Sequence, residues 1–69
     1  MNIRKATYLG ESALGFVKGE TYDIEICERK IQIFPLDETV SRIYVYNLNG
    51  YGWYPYRDEE EMMKNWRMK

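Results

Sequence analysis

Residues 42–56 read RIYVYNLNGYGWYPY, two aromatic-rich runs on either side of Asn49-Gly50. That dipeptide suits a two-residue type I′ hairpin turn, where both positions need positive φ. With those two residues as the loop, Leu48 faces Tyr51, Tyr46 faces Trp53 and Val45 faces Tyr54. The register then sorts every side chain. One face carries Ile43, Val45, Gly52 and Tyr54; the other carries Tyr44, Tyr46, Leu48, Tyr51 and Trp53. Neither face is polar, so the hairpin must be covered on one side and is open to a second use on the other.

Working outward, Pro55 has no amide to give a ladder, which ends regular pairing near Tyr54. Beyond it, Asp58 is a good N-cap with Glu61 three residues on, a variant of the capping box. Glu59 to Glu61 suit a positive helix start, and Lys64, Arg67 and Lys69 suit its negative end. The sequence therefore predicts a helix over 59–67 with Met62, Met63 and Trp66 in one apolar stripe. A helix this short is unstable alone and must dock. The expectation is that it lies on part of the aromatic row, leaving Tyr44 or Tyr51 reachable with Trp53 at the edge.

Upstream, TYDIEICE alternates Tyr22, Ile24 and Ile26 with polar residues, the period of a half-buried strand. Strands are expected at 2–9, 20–27, 30–34, 42–48 and 51–54. A tight turn is placed at Glu28-Arg29-Lys30, Ile31 and Ile33 are placed inward, and residues 35–41 are read as a loop begun by Pro35. Ala6 and Tyr8 share one face of the first strand. Gly10, Gly15 and Gly19 mark turns around Leu14, Phe16 and Val17, three residues expected to tuck beneath the loop. The fold class is mostly β with some α: a small SH3-like antiparallel barrel of four to five strands, with one short C-terminal helix packed on it.

Sixty-nine residues make one domain, residues 1–69, with little core to spare. Cys27 is the only cysteine and there is no histidine, so neither an internal disulfide nor a zinc cage is available to brace it. Seven Tyr, two Trp and two Phe supply the large buried area instead. No metal or other cofactor is expected. Cys27 falls on the polar face among Asp23, Glu25 and Glu28, a field opposite to the one a nucleophilic thiolate needs. With no phosphate loop and no paired carboxylates facing a cleft, catalysis is not expected.

The net charge of −1 argues against nonspecific duplex binding. No apolar run approaches a membrane span, and Met1 to Lys5 contain no apolar leader, so the expected setting is a reducing cytoplasm. The remaining question is what the aromatic hairpin face is for. Tyr44, Tyr46, Tyr51 and Trp53, with Arg42 and Arg57 at the far end, are the candidate binding residues. A protein partner is the first reading, because Tyr and Trp anchor interfaces well. Single-stranded nucleic acid stacking on the same rings is the second; it needs Arg42, Arg57, Arg4 and Lys5 to gather in one groove. A homodimer that buries the patch against itself is the third.

The order of elements, with Tyr8 to Gly10, Gly19 to Tyr22, Pro55-Tyr56 and Lys64 to Trp66 as its marks, resembles the small SH3-like barrel proteins encoded by phages and prophages of Gram-positive bacteria. The resemblance implies a barrel fold and a phage or prophage origin, and implies no activity. It carries over no functional residue. The Ala-Leu-Tyr-Asp-Tyr signature and acidic loop of peptide-binding SH3 domains are missing from the sequence.

Overall fold

A computed structural model describes residues 2–35 and 38–69. It is mostly β: β1 (Asn2–Tyr8), β2 (Thr21–Ile33), β3 (Glu38–Asn47), β4 (Trp53–Tyr56), α1 (Glu59–Asn65) and β5 (Trp66–Met68). The strands form one antiparallel sheet in the order β4-β3-β2-β1-β5, curled into a half-barrel. Its concave side holds the core.

The hairpin register is the one the sequence implies, with Tyr46 opposite Trp53 and Val45 opposite Tyr54. The turn itself is different. Neither Asn49 nor Gly50 adopts positive φ; Gly52 does, at 136°, and the loop spans residues 48–52. Asn49 serves through its side chain instead. Its Oδ1 accepts from the Asp23 amide at 2.6 Å, and its Nδ2 donates to Asp23 Oδ2 at 3.1 Å. The Leu48 amide adds a bond to the Asp23 carbonyl at 2.9 Å. These three bonds tie the hairpin tip to the start of β2, which a bare two-residue turn would not do.

A second correction concerns residues 28–30. β2 runs unbroken for 13 residues through Glu28-Arg29-Lys30, and residues 38–41, expected as loop, form the start of β3. The turn comes instead after Ile33, at residues 34–35; Leu36 and Asp37 fall outside the described residues. β1 pairs with β2 only as far as Ile26, and β4 with β3 only back to Ile43. From Glu28 to Ile33, β2 therefore has β3 alone beside it, and the pair projects as a two-stranded ribbon. A ribbon wetted on both sides tolerates charge on both sides, so a run that reads as a turn extends instead. Continuity of the strand also fixes parity: Ile31 and Ile33 share a face with Cys27, opposite Ile24 and Ile26, and do not enter the core.

The core consists of Ala6, Tyr8, Phe16, Ile24, Ile43, Val45, Tyr56, Met62 and Trp66. Trp66 is its centre, with ring centroids 5.0 Å from both Tyr8 and Phe16 and 6.3 Å from Tyr22. The tilted and edge-on geometries are those that aromatic quadrupoles favour. Of the three residues expected beneath the glycine loop, only Phe16 is buried; Leu14 and Val17 are exposed.

The helix starts where its cap predicts, with Asp58 Oδ1 accepting from the Glu61 amide at 2.9 Å. It ends earlier, at Asn65, and Trp66–Met68 extend as β5 along β1. β4 and β5 are the two outer strands of the curled sheet, so the connection between them must bridge its open side. α1 is that bridge, and it lies on the concave face rather than on the aromatic row. Met62 and Trp66 turn inward, while Met63 is exposed and leaves the expected stripe.

Candidate functional site

With the helix on the concave side, the convex side of the hairpin is bare. The strand register arranges it in rows: Ile3, Glu25, Tyr46 and Trp53; then Cys27, Tyr44 and Pro55; then Arg29 and Arg42. Successive rows are two residues, or about 6.7 Å, apart along a strand. Tyr44 is the middle ring, stacked on Tyr46 at 6.5 Å with an interplanar angle of 24° and tilted against Trp53 at 5.8 Å. Tyr44 and Tyr46 are half-buried by their neighbours, and Trp53 is 50% exposed. The face is built because residues 43–46 of β3 alternate β-branched and aromatic side chains, so the parity that fills the core leaves rings on the other side.

Tyr51 does not join this row. It sits in the loop at 97% exposure and, with Leu14, Gly15, Gly52 and Trp53, lines an apolar cleft of about 580 Å³. The cleft exists because two loops cross there backbone to backbone. Gly15, at φ 91°, and Gly52, at φ 136°, approach so closely that a methyl group on either would collide with the other loop's carbonyl. The Asn47 side chain pins the crossing by donating to the Gly15 carbonyl at 3.1 Å. Leu14 also has positive φ, 52°, an uncommon conformation for a branched side chain, and it is held outward beside Tyr51. Trp53 belongs to both the cleft and the row, making one continuous apolar strip.

Arg42 and Arg57 are brought together as the sequence suggests. They line a shallow depression of about 370 Å³ with Pro55, Tyr56 and Glu61. Arg57 is neutralised by its own turn: its Nε lies 3.9 Å from carboxylate oxygens of both Asp58 and Glu61. Among the described residues, the Arg42 guanidinium has a hydrogen bond to the Ser41 carbonyl, and its Cα partner across the ribbon is Arg29. Among the described residues, no carboxylate lies within ion-pair distance of Arg29 or Arg42. Sequence reasoning missed Arg29 because it sat in the supposed turn; the odd-numbered pattern of Cys27, Arg29, Ile31 and Ile33 was the signal available.

Two other residues of the nucleic-acid expectation are not gathered here. Arg4 lies on the concave side, in a separate cavity of about 540 Å³ with Glu28, Glu59, Ile26 and Met62. Lys5 is convex but pairs with Asp23 at 3.5 Å. The Asp23 carboxyl is held below its ordinary value, chiefly by the Asn49 amide and next by the Lys5 charge. Tyr8 and Tyr56 are pushed up, in both cases mainly by burial. Among the described residues no cluster of metal-ligating side chains occurs, and no helix is long and apolar enough to cross a membrane.

No family model, curated protein or solved structure matches this chain. What can be said of its function rests on the geometry above.

Proposed function

We propose that the chain is a non-enzymatic binding module that grips another protein through the convex strip formed by Tyr44, Tyr46 and Trp53 and extended by Tyr51 and Leu14. One observation carries the reading: the helix bridges the concave side, so three packed rings remain on the surface with no described element over them. Rings in mutual contact are preorganised, which reduces the side-chain ordering a partner must impose on binding. An apolar strip of this kind on a small monomer usually marks an interaction site. The resemblance to prophage-encoded barrels suggests a bacterial host as the place to look for the partner.

The test compares immobilised wild-type protein with the Tyr46→Ala/Trp53→Ala variant as bait for a bacterial lysate, before and after nuclease treatment, followed by reconstitution with the purified prey. A protein retained by the wild type, lost with the variant and bound again after purification supports the reading. Prey that disappears with nuclease indicates nucleic acid instead. Concentration-dependent mass of the wild type alone, abolished in the variant, indicates a homodimer.

A further inference from the structure

The concave cavity beside Arg4 has a mixed lining in which Glu28 and Glu59 offset the one guanidinium, so its charge selects no ligand. The ribbon carries the Ile31–Val40 pair but nothing that identifies a cover for it. The convex face is different, because its charge is unbalanced in a particular place.

Arg29 and Arg42 are directly opposite one another in the β2–β3 ladder, an arrangement that like charges disfavour. Arg57 shares the depression beside Arg42 but is already balanced there by Asp58 and Glu61, so the uncompensated pair is Arg29 and Arg42. This positive row is narrow. Two rows toward Trp53, the register places Glu25 beside Tyr46, and two rows the other way it places Glu38 opposite Ile33. Asp23 and Lys5, one row beyond Glu25, neutralise one another. The face therefore presents one localised positive site between two acidic flanks, next to an apolar strip.

Resting on the proposed function, we infer that the partner contributes an extended acidic segment: a carboxylate seated on Arg29 and Arg42, and an apolar side chain anchored on Trp53 and Tyr46. The spacing follows from the sheet. The Arg42 row and the Trp53–Tyr46 row are four residues, or about 13 Å, apart, and an extended peptide repeats that distance at the same interval. The ligand thus carries an Asp or Glu four positions from an aromatic or leucine residue. A carboxylate between the two guanidiniums relieves their repulsion and gains charge-assisted hydrogen bonds. A nucleic-acid strand fits less well, because it repeats its negative charge at every nucleotide and would bring phosphates onto Glu25 or Glu38.

The test is selection of random 12-residue displayed peptides on the full-length protein, then titration of synthesised, fluorescein-labelled winners. Decathymidylate is titrated in parallel. The expected consensus has an acid four residues from an apolar anchor. Arg29→Gln/Arg42→Gln should weaken binding roughly tenfold or more, the scale of hydrogen bonds to a charged group. Changing the peptide's acid to its amide should give the same loss, with no added loss when both changes are combined. Both arginines are on the surface, and a melt at or above the wild-type temperature verifies that the variant folds. Winners that lack the acid, or that bind the arginine variant unchanged while losing affinity for Tyr46→Ala, overturn the acidic segment and leave the aromatic strip standing. Winners indifferent to both variants overturn both readings. Decathymidylate binding that depends on the arginines overturns the peptide in favour of a polyanion. A failure to enrich any peptide, with decathymidylate also unbound, overturns the proposed function and this inference together.

Discussion

The two sides of one sheet use the same kinds of residue to different ends. On the concave side, Tyr8, Phe16 and Trp66 are in ring contact and buried with Tyr56, and their polar atoms are satisfied. The Trp66 indole N–H donates to the Tyr56 hydroxyl at 3.0 Å, and the Tyr8 hydroxyl donates to the Glu11 carbonyl at 2.7 Å. On the convex side, Tyr44, Tyr46 and Trp53 also touch one another, but they face water. Ring content does not distinguish the sides. Topology does, because the chain has to cross from β4 to β5, the two outer strands of a curled sheet, and the crossing covers the concave side only.

The largest expected effect breaks this contrast at its two tryptophans. Trp66→Ala should cost about 3–5 kcal/mol, as for other buried large aromatics, enough to unfold much of a domain this small. Trp53→Ala should cost about 1 kcal/mol, nearer the value for a surface change. Urea denaturation of both variants checks the ratio.

Next come the glycines. Gly52→Ala places a side chain at φ 136° and against the Leu14 carbonyl, and should cost about 2–3 kcal/mol for strain of that class. Gly19→Ala also has positive φ, 89°, but its Cβ would meet nothing, so about 1 kcal/mol is expected. Similar losses for the two would mean that the crossing of the 14–15 and 51–52 loops is not a close contact. Gly52→Ala should also weaken binding at the Leu14–Tyr51–Trp53 cleft, measured with the selected peptides.

Removing one hydroxyl on each side is a finer comparison. Tyr56→Phe leaves the buried Trp66 N–H without its acceptor and should cost about 1–2 kcal/mol. Tyr44→Phe, whose oxygen reaches solvent, should stay within about 0.5 kcal/mol of wild type. Thermal melts resolve the difference.

The smallest effect is at the hairpin tip, where Asp23 is exposed enough for its contribution to be screened. Its folded pKa is below the unfolded value of 3.8, so the stability it lends is full above about pH 4 and is lost as pH falls through the lower folded value. Asp23→Asn should flatten that acid limb in melts taken from pH 5 to pH 2. An unchanged limb would assign the acid sensitivity to other carboxylates.

Parts of this division could be read in the sequence. The Tyr46–Trp53 register followed from the position of Asn49-Gly50 even though the turn type did not, because the Asn47 amide still donates to the Gly52 carbonyl while Asn49 is taken up by Asp23. The cap at Asp58 was legible because it is a local contact, Asp58 to Glu61. The faces of Ile24 and Val45 were legible because alternation is local too. What could not be read was which hairpin face the helix would cover. That depends on β5, three residues whose pairing with β1 lies some 60 positions away in the chain, and Trp66 looks the same at the end of a helical stripe as at the start of a strand. The unbroken β2 was hidden for a related reason: polar residues on both faces mark a turn within a globule but are also at ease in a projecting ribbon. With β2 misread, Arg29 could not be placed beside Arg42.

The most direct measurement of the two-sided account is acrylamide quenching of tryptophan fluorescence in the wild type and in Trp53→Phe. One indole is on each side, 50% exposed for Trp53 and 1% for Trp66. The wild type should show a red-shifted, readily quenched component beside a blue, protected one, and Trp53→Phe should retain only the second. A quenchable, red-shifted component that persists in Trp53→Phe would put Trp66 in water, contradicting a helix that closes the concave side and leaves the convex rings free.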